Sequence, residues 1–553
     1  MLEEYEEFTP SQIQRLKRYV TSTTKNIFVL RNLPEVIKGA LFSRYSRSNL
    51  GLRSLLVKEF MTNQETSFES IVGEQEPKDQ SADHAIDQLP EQILAIQKAQ
   101  SFYDRILDGY GDDSIGELGG AHLALENISM LAAKVIEDSR IGGSPLEKST
   151  RYIYFDQKVK GEYLFYREPV LMTSAFKQLY LTTCNMLFDT YAELIPPLTE
   201  QLQESFPKTE DMSKAAYSAA LRAKVLDCLR GLLPAGALTN MGLFGNGRFF
   251  QQLLQRLQCQ PLVELQEVGK SAYEELSKEI PSFVRRADTA HRHQQAYADY
   301  MDTMQSCLKM VARENVPDMK GETGMKVSLI QSDPESPIRV AAALLFPHSQ
   351  ASFEELLAHC QTLPPLEIER ILEAGCSARE NRRHKSPRAL EHASFTFEIV
   401  ADFGAYRDLH RHRVLTQERQ LLSCNYGYFV PEEIKGTAME SRYVSALVAA
   451  QEAYDTIAKE LPEEAQYVVP MAYNIRWYFH INLRSLQWLT ELRSAPAGHS
   501  TYRYIAQAMA KQVSLACPSL ERFFKFVDYD GHDLGRIGQE QKKAEKQASA
   551  PEG

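Results

Sequence analysis

The feature that most constrains this chain is that it repeats itself. A gapless shift of 272 positions carries Leu118, Ala121, Glu126 and Ala133 onto the identical residues Leu390, Ala393, Glu398 and Ala405, and lays Asp112-Asp113-Ser114 on His384-Lys385-Ser386. A second shift, of 236, carries Pro234, Asn246 and Arg248 onto Pro470, Asn482 and Arg484. Two registers in the same order indicate an internal duplication, and the change of offset requires only a length difference in the intervening loop. Scattered identities arise by chance, but an Asn-x-Arg pair at a fixed distance from Pro in both halves argues against chance. The expected organisation is an N-terminal copy over 1–310, a connecting stretch over 311–335, a C-terminal copy over 326–538 and a disordered tail over 539–553. Turn residues at Pro317-Asp318, Gly321, Gly324 and Asp333-Pro334 mark the break. Val327-Ser328-Leu329-Ile330 reads as the opening strand of the second copy, and residues 70–92, polar and acidic, as a mobile insertion.

Composition narrows the classes. With 553 residues, 43% hydrophobic and 24% charged, the chain suits two or three ordinary globular domains. No apolar run is long enough to span a bilayer, and the acidic start Met1-Leu2-Glu3-Glu4 is unlike a secretory signal, so a cytoplasmic location is expected. Eight cysteines without a Cys-x-x-Cys pair argue against zinc ribbons, iron–sulfur centres and a disulfide framework, and no metal is expected. A net charge of −11 does not suit a nucleic-acid binder, so anionic ligands must be met by local arginine clusters. Residues 9–60 read as helices over Gln12–Val20, Pro34–Phe42 and Leu52–Phe60.

The densest such cluster is Asp408-Leu409-His410-Arg411-His412-Arg413, closing a run from Glu391 that reads as helix-like, with Phe395, Phe397, Ile399, Phe403 and Leu409 along one side. Consecutive residues cannot share a helix face, so the donors fan around a bulky anion or the segment breaks into a loop. A solvated helix C-terminus would hold the same residues by its dipole.

Around the cluster stand His384-Lys385-Ser386 and Glu391-His392, and, after it, Gln417-Glu418-Arg419-Gln420-Leu421-Leu422-Ser423. This order resembles the signature region of the flavin-dependent thymidylate synthases, which methylate dUMP to dTMP with FAD, NADPH and methylenetetrahydrofolate. The family signature is Arg-His-Arg, seven residues, then Ser; here Leu421 stands at the Ser position and Ser423 at that of the Arg two places on. The resemblance implies that Arg411, His412, Arg413 and Ser386 contact FAD, with Asn482 and Arg484 from the family's Asn-x-Arg. It also implies that Arg493 activates the uracil ring and that His384 lies near folate and flavin. An exposed loop histidine is the plainer reading of His384, and a helix-surface charge paired to Glu491 that of Arg493.

The N-terminal copy has lost the opposite half. Its Ser139, Arg140 and Ile141 replace the cationic triplet, and Leu257 stands where Arg493 is, with Arg256 one place early. What it keeps is Glu147-Lys148-Ser149-Thr150-Arg151-Tyr152, matching the family's Glu-x-Ser-x-Arg-Tyr, and Arg230 four residues before Pro234, where the other copy has Gln466. The resemblance makes Glu147, Ser149, Arg151 and Arg230 substrate-binding. A Ser hydroxyl and an Arg fork two residues apart on a bent loop can grip one phosphate, although a helix cap with a surface Arg would look the same. Ser43 or Ser46 falls where the family touches FAD.

The implied fold is α+β, two tandem copies of the family domain, each helix-rich with an antiparallel sheet. The implied activity is reductive methylation of dUMP. The alternatives are a flavoenzyme acting on another pyrimidine and a non-catalytic flavin or nucleotide binder. Losses that complement each other favour an enzyme, because independent decay strikes at random. In the family the active site lies between subunits of a homotetramer, so this chain is expected to form a homodimer acting as a pseudo-tetramer, with sites built from unlike copies. Its partners would be dUMP, folate and NADPH, with no nucleic acid and no membrane.

Overall fold

The structure, a computed structural model, describes residues 7–33, 41, 45, 48–61, 120–139, 141–317 and 323–548. Ser43, Ser46, Arg140 and the expected insertion 70–92 lie outside the described residues. The chain forms two compact units: Met1–Ser149, Gln157–Ser174 and Gly236–Met319 make the first, and Thr150–Asp156, Ala175–Ala235 and Lys320–Gly553 the second.

The first unit is built on β1 (Ile27–Leu30), β2 (Gly120–Ser129), β3 (Gly143–Glu147), a small hairpin of β4 (Lys158–Val159) and β5 (Glu162–Tyr163), and β6 (Leu238–Asn246). The hairpin turns on Lys160 and Gly161, both at positive φ, the pairing that matches strand twist in a two-residue loop. The main sheet is antiparallel with order β1-β2-β6-β3. A bulge interrupts β2 between Leu125 and Ile128, where Asn127 sits at φ 56 and donates its N–H to Asn240 Oδ1 at 2.9 Å. Of the helices expected within 9–60, the first is Pro10–Leu16, the last is α-helical over Leu52–Leu55 and runs on as a π-helix over Leu56–Met61, and the middle one, 34–42, lies outside the described residues except for Leu41; between them Ile27–Leu30 is a fully buried strand. Its four residues are apolar and partly β-branched, and Phe28 and Leu30 join the core with Leu16, Val20, Leu52 and Leu55.

The second unit repeats the plan with β7 (Lys326–Ser332), β8 (Ser394–Asp402), β9 (Thr416–Arg419) and β10 (Asn474–Asn482), in the order β7-β8-β10-β9, again antiparallel. The shift of 236 carries both ends of β6 onto both ends of β10. Asn246 and Asn482 then cap the helices Gly247–Gln258 and Leu483–Arg493 in the same way. The duplication read from the sequence is therefore a duplication of fold, α+β in each copy.

Two expectations change. The run from Glu391 to Leu409 is a strand followed by a seven-residue helix, Phe403–Leu409. Phe395, Phe397 and Ile399 alternate into the core as a strand requires, and only after Asp402 accepts from the Ala405 N–H does the chain coil. The tail is not disordered throughout: Ile537–Ala548 is a helix packed on the helix Lys214–Leu229, with Gln541 Nε2 donating to the Asp211 carbonyl at 3.1 Å.

The units also cross the sequence copies. The long helix Lys177–Ser205 and the helix Lys214–Leu229 precede the second copy in sequence, yet they belong to the second unit, where Lys177–Ser205 packs on Glu440–Ile457. Immediately after them, Gly231–Ala235 pairs antiparallel with Val469–Ala472, through Ala472 N–H to Gly231 O, Met471 N–H to Leu233 O and Ala235 N–H to Val469 O at 2.8–2.9 Å. Pro234 faces Pro470 there, its own equivalent. A segment paired with its own repeat is the self-complementary contact of a two-fold dimer, made here inside one chain.

Candidate active site

In the second unit β8 delivers the cationic segment. His410 ends the short helix, fully buried, with its Nδ1 donating to the Tyr406 carbonyl at 3.1 Å and its ring stacked 5.0 Å from that of Tyr406. Past it Arg411 and Arg413 are exposed and His412 is half-buried. Helix Leu483–Arg493 brings Arg493 alongside at its last residue, and Arg493 Nε donates to His412 Nε2 at 3.2 Å. That bond requires a lone pair on Nε2. Burial, then the charges of Arg493 and His410, push His412 well below its ordinary pKa, so the ring is neutral. Arg493 lies over the Tyr502 ring at 5.7 Å, and its two Nη groups make no hydrogen bond among the described residues. Burial lowers its pKa, Asp408 and Tyr502 oppose this, and Arg411 and Arg151 add to it; a guanidinium starting so high stays charged at neutral pH.

The same unit holds two arginines of the N-terminal copy. Arg151 donates through Nε and Nη2 to the two carboxylate oxygens of Asp227 at 2.5 Å each, through Nη1 to Tyr502 Oη at 2.9 Å, and through Nη2 to the Ala497 carbonyl at 3.2 Å. Its guanidinium stands 5.6 Å from the Tyr502 ring, so one tyrosine joins Arg151 of the first copy to Arg493 of the second. Arg230 donates from Nη1 to Asp408 Oδ2 at 3.1 Å. Its Nη2 is buried without a hydrogen bond among the described residues, beside Gly404, where a Cβ would come within 3.1 Å of it. Asp408 is thus ringed by cations: burial resists its charge, but Arg230, Arg411, Arg151 and Arg493 hold its carboxyl far below the usual range.

Sequence reasoning gave Asp408, Asp227, Tyr502 and His499 no role. Asp227 lies one helical turn before Arg230, a spacing that could have flagged it. His499 donates from Nε2 to the Asp227 carbonyl at 3.1 Å and accepts the Thr501 N–H at Nδ1. It is pushed down to about 3, by burial first and then by Arg230 and Arg151 against the opposing Asp227.

The remaining expected residues fall into two groups. Along helix Leu483–Arg493 runs the stretch 379–386. Arg379 forks onto Glu491 with both contacts at 2.6 Å and donates to the His384 carbonyl at 2.8 Å, so Glu491 is paired to Arg379 rather than to Arg493. The His384 ring is exposed and meets the Asn381 amide at 2.7 Å. Ser386 is buried, its hydroxyl donating to Gln487 at 2.6 Å. Arg484 donates to the Ser386 carbonyl and to Glu391, both at 2.9 Å, and Asn482 caps the helix by accepting from the Ser485 N–H. Arg484 and Arg493 therefore lie at opposite ends of one helix, roughly 14 Å apart at 1.5 Å per residue. Glu147 and Ser149 belong to the first unit. There Glu147 is buried and accepts from Lys134 Nζ at 2.7 Å, with Glu137 on the same ammonium. Ser149 is half-buried.

Of the expected flavin residues, the exposed Arg411 and Arg413 can offer their forks to a diphosphate, whereas the one-third-exposed Arg484 is already paired with Glu391 at the far end of the helix from Arg493. Ser386 and Asn482 are likewise bonded to neighbours in the fold. All eight cysteines are free thiols, and no helix among the described residues is long and apolar enough to cross a membrane.

The model of the family described as thymidylate synthase complementing protein matches this chain twice, over residues 61–282 and 328–519. The chain belongs to that family. Among its relatives, a UPF0159 protein of Chlamydia muridarum is 54% identical over 98% of this chain and 100% of its own length. One of Thermoplasma acidophilum is 33% identical over 92% of this chain and 98% of its own. A flavin-dependent thymidylate synthase of Clostridium tetani is 28% identical, over 37% of this chain and 89% of its own. Neither match to the thymidylate synthase complementing family reaches the segment 520–548, which nonetheless lines the pocket around Arg151. That pocket, about 60 Å³, is bounded by Arg151, Asp227, Ala497 and His499 and closed by Gly535 and Arg536.

Proposed function

We propose that this protein reductively methylates dUMP to dTMP, using methylenetetrahydrofolate and NADPH with FAD as cofactor, at a site built from both copies within one chain. The reading is carried by one observation: Arg151 and Arg230, from the copy that keeps the nucleotide-side motif, share a compact unit with Arg493, His412 and Asp408 from the copy that keeps the flavin-side motif. Membership of the family and the named activity of the Clostridium tetani relative point the same way.

Each side chain then has a task. Arg151 and Arg230 hold the phosphate, Arg151 by exchanging the Asp227 carboxylate for it. Arg493, its Nε fixed by neutral His412, turns its two Nη groups to the pyrimidine and stabilises the negative charge that builds on the ring nitrogen and carbonyl oxygens when C5 becomes nucleophilic. Tyr502 keeps the two arginines in register. His412 must be neutral, since a second cation would repel Arg493 and withdraw the lone pair that orients it. Arg411 and Arg413 would hold FAD, which when bound supplies the reducing equivalents and relays the one-carbon unit. His384, exposed on its loop, is suited to the folate side. Cys424 is buried and its thiol is held well above its ordinary pKa by burial, so it is a poor nucleophile.

The test is purified protein supplied with dUMP, methylenetetrahydrofolate and NADPH. The expected result is a yellow protein that forms dTMP only when dUMP is present and binds one dUMP per chain. A flavin-loaded protein that makes no dTMP would end the assignment of dUMP.

A further inference from the structure

The pocket beside Arg151 contains a cation that the family match does not cover. We propose that Arg536 is a phosphate-binding residue of the nucleotide site, a second guanidinium on the phosphate opposite Arg151, supplied by a C-terminal segment outside the matched domains. This rests on the reading that the ligand of Arg151 is a nucleotide.

Four observations carry it. Arg536 is 8% exposed, and its Nε is buried with no hydrogen bond among the described residues, a donor that the fold leaves unsatisfied and that no carboxylate pairs with directly. The guanidinium lies 4.4 Å over the ring of Tyr152, the residue next to Arg151, so the Arg536 fork rests against the dipeptide that carries the Arg151 fork. The other cations lining the pocket are already matched: Arg151 by Asp227, Lys224 by Glu433, and Arg503 by Asp528 with the Ser494 and Asp530 carbonyls, while of the lining carboxylates Asp533 makes no ion pair among the described residues. Arg536 is the cation left over, and it acts on the Asp227 carboxylate from a distance, helping to keep it ionised. Finally, the segment is pressed into place. A Cβ on Gly535 would lie 1.9 Å from the Pro496 carbonyl oxygen, so only glycine lets the chain lie against the turn that follows Arg493. The helix Ile537–Ala548 then anchors the segment on Lys214–Leu229, the helix that carries Asp227.

The chemistry selects the ligand class. The room of about 60 Å³ is several times what one water needs and suits a tetrahedral phosphate group. A dianion entering here would draw Arg151 from Asp227, and Arg536 supplies the second charge that makes the exchange favourable. The predicted ligand is a nucleoside 5′-monophosphate, with the free nucleoside rejected.

The experiment compares wild type, Arg536→Gln and Arg536→Lys for binding of dUMP, deoxyuridine and inorganic phosphate by calorimetry, with melting temperatures as the check on folding. The proposal expects dUMP and phosphate binding about 10- to 100-fold weaker in Arg536→Gln, partial recovery in Arg536→Lys, and no deoxyuridine binding in any of the three. Unchanged dUMP affinity in Arg536→Gln, with or without a lower melting temperature, would reduce Arg536 to a structural prop for Tyr152 and overturn it. If dUMP does not bind wild type while phosphate binds and is lost in Arg536→Gln, Arg536 stands as an anion ligand and only the pyrimidine assignment falls. If neither binds wild type, the proposal is wrong.

Discussion

The helices Gly247–Gln258 and Leu483–Arg493 begin alike and end differently. Each follows the third strand of its sheet order and is capped by an Asn, and each carries an Arg in its first turn. At the equivalent C-terminal position the first has Leu257, 2% exposed in the core, and the second has Arg493 reaching His412. The surroundings diverge in the same sense. In the first unit Phe249 fills the space over Gly143 and Gly245, where a Cβ would stand 2.3–2.4 Å from its ring, and Lys134 is buried between Glu137 and Glu147. At the position of Lys134 the second copy has Tyr406, which stacks on His410. At these positions one copy has packing and internal ion pairs, while the other has exposed Arg411 and Arg413 and the Arg493–His412 contact. Under the proposed function, one copy can become scaffold because the other keeps the chemistry, with Arg151 and Arg230 of the scaffold copy placed in the same unit as Arg493.

That contrast can be broken most sharply at Lys134. Lys134→Met should cost about 3–5 kcal/mol of stability, because it leaves two carboxylates buried without their ammonium. Denaturant unfolding that shows no loss would mean this cluster is not what holds the first copy together. Next, the two helix ends should respond oppositely. Arg493→Ala should lower kcat about 100- to 1000-fold with dUMP affinity little changed, whereas Leu257→Ala should lower stability by about 2–5 kcal/mol and leave kcat alone. Similar kinetic losses in both variants would erase the distinction between catalytic and scaffold copy.

Arg151→Ala should weaken dUMP binding about 10- to 100-fold, measured by calorimetry. Mixing Arg151→Ala chains with Arg493→Ala chains should restore no activity, since both residues of a site come from one chain; recovered activity would place the complete site between chains. The gentlest effect is on pH. His499 is pushed down to about 3, so between there and its unfolded value near 6.5 the unfolded chain binds more protons. Its contribution is present above pH 6.5 and lost as pH falls toward 3, and the depressed Asp227 and Asp408 extend the loss below pH 4. His499→Gln should flatten the upper part of that slope in unfolding curves taken from pH 7 to 4.

How far the chain could be read in advance depended on the range of each interaction. The duplication, the opening strand of the second copy and the Asn-x-Arg repeats were legible because each is a local pattern recurring at a fixed offset. The stretch 391–409 was misread because its aromatic spacing suits a strand over 395–399 and a helix from 403 equally well; burial against β10 on one side and β7 on the other decided it. The tail looked unstructured by composition and became a helix because Lys214–Leu229 offers it a surface.

The sequence by itself determined which residues each copy kept: Ser149, Arg151 and Arg230 in one, the triplet Arg411-His412-Arg413 and Arg493 in the other. The tertiary structure decided which of them meet. Arg151 and Tyr502 are separated by 351 positions, and Arg230 and Asp408 by 178. It also decided which charges are already neutralised, as Arg151 by Asp227 and Glu147 by Lys134, and which is not, as Arg536. Local propensity acts over a few residues, whereas charge pairing and burial depend on distance in space. The site was therefore visible as parts in the sequence, and became one arrangement only once Pro234 had paired with its own repeat at Pro470.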